Sequence, residues 1–100
     1  MYKNLVNIPK LVEFFKGLKL FAVTGDVEEI KVLENITVTH VGNKIIITGI
    51  EPEEFEEDQF VINANEILFV EEDPEWGDGA KGVDLHMDDG RLICTEGWAI

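Results

Sequence analysis

A two-residue Gly-Asn step between two β-branched runs constrains this chain more than any other feature. Residues Ile36 to Val41, Gly42-Asn43 and Lys44 to Thr48 follow one another without a break. Such a turn joins antiparallel strands tightly, and its length sets their register. With Val41 opposite Lys44, counting places His40 opposite Ile45, Val38 opposite Ile47 and Thr37 opposite Thr48. One face then reads Ile36, Val38, His40, Ile45 and Ile47, and the other is richer in threonine. On so aliphatic a face His40 is expected to be a half-buried structural histidine rather than a ligand.

A second hairpin is expected where Val83 to Asp88 meets Arg91 to Thr95 through Asp89-Gly90. A two-residue turn there sets Met87 opposite Leu92 and Leu85 opposite Cys94, burying all four and leaving Asp84 and His86 on the other face. Gln59–Ile62 and Glu66–Val70, flanking Asn63-Ala64-Asn65, read as two more strands, and residues 20–24 and 28–33 as weaker ones. Glu51 to Asp58 and Glu71 to Gly82 read as irregular. Near the N-terminus, Asn7 and Pro9 suit a helix start. Leu11, Phe14, Phe15, Leu18 and Phe21 recur at helical spacing, predicting an amphipathic helix over about residues 8–20, weakest at Gly17. The sum is an α+β, mostly β fold: one helix and five to seven short antiparallel strands in a bent sheet or small, partly open barrel.

One hundred residues, 45% of them apolar, suit a single domain over 1–100 with a small core. No apolar run approaches the ~20 residues a membrane helix needs. No signal-peptide pattern is present, and a lone cysteine, Cys94, makes no internal disulfide; a cytoplasmic location is the expectation.

The distribution of charge says more than its total. Residues 1–50 hold six lysines against five acids, whereas residues 51–100 hold Lys81 and Arg91 against sixteen acids, within a formal net charge of −13. Between Lys44 and Lys81 lie 36 residues with twelve acids and no base. Such a field repels nucleic acid and anionic membranes and attracts basic protein surfaces.

The residues offer little to catalysis. The chain has no serine, and Cys94 is expected in the core. No glycine-rich loop carries the lysine of a phosphate-binding loop. Asp73, Glu75 and Asp78 resemble the start of a calcium loop, but glycine at its sixth position and glutamate at its twelfth are both missing. Only His40, His86 and Cys94 offer zinc-type donors, and the counted register sets His86 and Cys94 on opposite faces. Neither an enzyme nor a bound cofactor or metal is expected. The strand, acidic loop and hairpin from Ile62 to Thr95 resemble patterns in small barrel proteins such as FlbD-type flagellar proteins and LytTR-type DNA-binding domains. That resemblance spans roughly a third of the chain and implies β-strand grammar without any site residue.

The acid clusters remain as an interaction surface. Glu53, Glu54, Glu56, Glu57 and Asp58 surround Phe55, and Glu71, Glu72, Asp73, Glu75 and Asp78 surround Trp76. An exposed ring among carboxylates anchors a partner while the charges steer it in; a ring folded into the core does neither. For Phe55 the balance leans towards the core, and for Trp76 it is even. The leading expectation is a small acidic, non-enzymatic binding protein that docks on a basic protein surface. In its sharpest form it is a nucleic-acid mimic or inhibitor from a mobile element such as a phage, acting on a nucleic-acid-binding protein in the host cytoplasm. The alternative is a structural subunit forming homo-oligomers through its helix, a sheet edge or its charge asymmetry.

Overall fold

The computed structural model describes residues 7–73 and 81–98. It contains one helix, α1 (Ile8–Lys16), and seven strands: β1 (Leu20–Gly25), β2 (Lys31–Val41), β3 (Lys44–Glu51), β4 (Glu56–Asn63), β5 (Ile67–Asp73), β6 (Lys81–Met87) and β7 (Leu92–Trp98). All seven lie in one antiparallel sheet of order β4-β3-β2-β1-β7-β6-β5. Among the described residues the fold is thus mostly β with a single α-helix, and the sheet is open, with β4 and β5 at its edges.

Helix α1 begins where the sequence indicates. Asn7 caps it by accepting the Lys10 N–H, and proline occupies the first turn. It ends at Gly17, earlier than the apolar spacing suggests. Leu18 and Phe21 are both buried, but Leu18 lies in the turn after the helix and Phe21 in β1. Their spacing continues the helical period although the backbone has left it. Leu11, Val12 and Phe15 face the core, where Phe15 meets Phe21 edge-on at 5.7 Å.

The β2–β3 hairpin has the counted register throughout, from Val41↔Lys44 to Thr37↔Thr48. Gly42 supplies the positive φ of 61° that a tight turn needs. Ile45 and Ile47 are buried, but His40 is exposed rather than half-buried. The reason is length: β1 pairs β2 only over Lys31 to Glu34, so the far end of the hairpin projects beyond its neighbour.

The β6–β7 hairpin departs from expectation by one residue. Its loop has three residues, with the Gly90 N–H bonded to Met87 O, the Met87 N–H to Arg91 O, and Gly90 at φ 92°. A turn followed by a left-handed glycine adds one position to the loop. The register becomes Leu85↔Ile93 and Asp84↔Cys94. A shift of one exchanges the faces. Ile93 and Thr95 are therefore buried, Thr95 donating to Val83 O at 2.9 Å, while Leu92 and Cys94 are only half-buried. Cys94 also comes onto the same face as His86, not the opposite one.

Two segments expected to be irregular are partly strand. β4 starts at Glu56, leaving only 52–55 as a turn, and β5 runs on to Asp73. Residues 28–33 contribute only their last part to β2.

The link between β4 and β5 bends the sheet. Six antiparallel steps separate these edge strands, so they run in the same sense. Only Ala64–Glu66, a single 3-10 turn, joins them. Three residues reach about 10 Å at most, far short of the roughly 25 Å back to the start of a neighbouring strand. The chain must therefore pass straight from one edge to the other, and the sheet folds over to allow it. Both hairpin tips close on this corner, since Asn43 O accepts from the Ala64 N–H and the Asp88 N–H donates to Glu66 O.

Candidate functional site

The acidic segment is built around one carboxylate. Glu51, the last residue of β3, accepts the Glu53 N–H at 3.1 Å on one oxygen and the Glu54 N–H at 2.6 Å on the other. Its carbonyl accepts the Phe55 N–H at 2.8 Å. Three of the turn's main-chain donors are thus satisfied by a single residue, and the turn has a defined shape.

Phe55 closes the turn with φ 58°, a left-handed conformation that a bulky side chain enters only at a cost of about 1–2 kcal/mol. Its ring does not fold into the core, as the sequence leaned towards, but is 81% exposed. The conformation that lets the turn close also directs the next residue, Glu56, into β4, and the ring stays outside.

Glu53, Glu54, Glu56 and Glu57 are exposed around Phe55. Beside them lies the β1–β2 loop, with exposed Glu28, Glu29 and Ile30, the last 69% exposed. Ile30, Pro52 and Glu53 line one shallow depression with Asp58. Nothing in the sequence joins Ile30 to the acidic turn; their neighbourhood arises because β2 and β3 bring the two loops to one end of the sheet.

Asp58 differs from its neighbours. It accepts the Lys31 ammonium at 3.0 and 3.1 Å and the N–H of Gln59 at 2.8 Å, and the same ammonium donates to Gln59 O at 3.0 Å. The Lys31 hydrogen bond, then the Gln59 N–H, hold its carboxyl below the usual aspartate range, with the lysine's charge adding to both.

The second acid cluster lies at the other edge of the sheet. Glu71 and Glu72 are exposed on β5 and Asp73 ends that strand. Glu71 faces His86 Nε2 at 2.6 Å, and His86 stacks on Phe69 with ring centroids 4.1 Å apart. Lys10 of α1 reaches Glu72 at 4.0 Å, both exposed. Glu75, Trp76 and Asp78 lie outside the described residues. The sequence places both clusters in one base-free stretch, but the fold assigns them to opposite edge strands. Glu53 to Asp58 therefore form one surface with Phe55, and Glu71 and Glu72 belong to another.

Among the described residues no three histidine, cysteine or carboxylate side chains are grouped to hold a metal ion. No described helix is long and apolar enough to cross a membrane. Set against protein-family models, curated proteins and solved structures, the chain matches none.

Proposed function

We propose that this chain is a non-enzymatic binding protein that docks on a basic protein surface through the Phe55 turn and the carboxylates around it. The single observation that carries this reading is Phe55 itself. A phenylalanine held at φ 58° and 81% exposed costs stability twice, in backbone strain and in uncovered apolar area. A glycine there removes both costs. Residues that oppose folding are expected at sites of function, and an aromatic ring among charges is the usual form of a binding anchor. The carboxylates Glu53, Glu54, Glu56 and Glu57 supply long-range attraction, so the docking is salt-sensitive.

In its narrowest form the partner is a nucleic-acid-binding protein whose phosphate-binding surface accepts the carboxylates instead. Self-association through the sheet edges is the weaker alternative, because both edges carry glutamates that repel their copies at neutral pH.

The test is capture of basic proteins by the immobilised chain at low salt, followed by competition with duplex DNA for each protein captured. Salt should release the partner, and Glu53/Glu54/Glu56/Glu57→Gln should abolish capture. Phe55→Gly should weaken binding while leaving the urea midpoint unchanged or raising stability by up to ~1 kcal/mol. A Phe55→Gly protein that binds as tightly as the parent, or that unfolds more easily, overturns the reading.

A further inference from the structure

The free edge of β4 runs from the Phe55 turn to the corner at Ala64, and its hydrogen-bonding groups can be assigned by counting. In the two-residue β2–β3 hairpin, Lys44 directs its main-chain groups towards β2, and so do Ile46, Thr48 and Ile50. Their β4 partners Asn63, Val61, Gln59 and Glu57 therefore direct theirs away from β3, to the outside. Gln59 is already occupied: its N–H goes to Asp58 and its C=O to Lys31. Val61, two residues on, has no such cover among the described residues and is 37% exposed. Alongside lies an uncovered cleft of about 520 Å³, with Phe60, Ile62, Met87, Ile93 and Val27 among its lining.

We infer that the β4 edge is a strand-addition site for an extended segment of alternating basic and apolar residues on the partner protein. The inference rests on the proposed basic partner and specifies how it docks. Charge identifies the occupant. Glu56, Glu57 and Asp58 lie on β4 itself and Glu28, Glu29 and Glu66 line the cleft, against Lys31 and Arg91, each of which already has a carboxylate partner. A second copy of this acidic chain would meet repulsion along the same path.

The Lys31–Asp58 pair is the gate. It blunts the middle of an edge that would otherwise present a row of open main-chain groups. The pair is only part-buried, and exchanging one cation for another leaves the Asp58 carboxylate paired. A lysine or arginine of the incoming strand replaces the Lys31 ammonium on Asp58 at small cost, and the Gln59 C=O is then free to pair, its N–H staying on Asp58. Main-chain bonds supply affinity, the cleft receives alternate apolar side chains, and Phe55 flanks the end of the strand.

The probe is an eight-residue peptide of alternating Lys and Val, matching the length of β4, beside a copy N-methylated at alternate residues to block pairing at equal charge. Binding to the full chain is followed by amide chemical shifts and hydrogen exchange. The plain peptide should shift the Gln59 and Val61 amides and protect that of Val61, and the N-methylated one should bind at least about fivefold more weakly, the worth of one main-chain hydrogen bond. Val61→Pro, which deletes an outward N–H that no described residue accepts, should weaken the plain peptide by a similar factor. Equal binding of the two peptides, or a folded Val61→Pro protein of unchanged affinity, overturns strand addition while leaving the electrostatic docking of the Phe55 surface standing. Self-association of Lys31→Met without peptide binding overturns the basic segment as occupant and assigns the edge to a second copy.

Discussion

Asp58 and Phe55 sit three residues apart in one base-free acidic stretch, and their surroundings give them opposite roles. Asp58 is tied into the sheet by Lys31 and the Gln59 N–H, whereas Phe55 is held out of the core by its own backbone conformation. The tie has a pH signature. Because the folded carboxyl titrates below its unfolded value of about 3.9, its contribution to stability is present above that pH. It is lost as pH falls through the folded pKa. A carboxyl-carbon NMR titration should place the Asp58 midpoint below the ordinary aspartate value, and Lys31→Met should raise it towards that value. An unmoved midpoint in that variant would show that Lys31 does not hold the proton off. None of this was legible in the sequence, where Lys31 and Asp58 are 27 positions apart and Asp58 is one acid among six.

At the scale of elements, turn chemistry decided how much could be read ahead. Gly42-Asn43 permits one short loop, and the β2–β3 register follows from it residue by residue. Asp89-Gly90 reads as the same device, yet Asp88 joins the loop and the faces exchange. Asp89 stabilises this wider turn, its carboxyl held below the usual range first by the Arg91 N–H and then by the Arg91 side chain. The choice between a two- and a three-residue loop is a matter of which residues pack. Ile93 and Thr95 inward leave Gly97 in line with them, where β7 passes close to Leu18 and β1. A Cβ on Gly97 would collide with Leu20 O and lie 2.6 Å from a Leu18 methyl. Gly97→Ala should therefore destabilise the fold by about 1–3 kcal/mol in urea unfolding, through overpacking against backbone. An alanine protein as stable as the parent would place Leu18 and β7 further apart than described.

For the whole molecule, a net charge of −13 on 100 residues makes self-repulsion a standing cost of folding. The fold lessens it by assigning the two acid clusters to opposite edges of a bent sheet. Sodium chloride raised from about 0.01 to about 0.3 M shortens the Debye length from about 30 Å to below 8 Å. The melting temperature should rise over that range, and the rise should shrink in Glu53/Glu54/Glu56/Glu57→Gln. A melting temperature that falls with salt would mean that attractive ion pairs outweigh the repulsion.

Local chemistry alone determined the helix start at Asn7, the β2–β3 hairpin and its register, the mostly β class and the concentration of acids after Lys44. Each rests on residues within a few positions of one another, where propensity and turn geometry act directly. Tertiary structure alone decided the rest: the corner at Ala64–Glu66, the exposure of Phe55, the approach of Ile30 to the acidic turn, and the Lys31–Asp58 gate on β4. Those features depend on which distant strands the buried side chains bring together, and spacing along the chain carries no record of that.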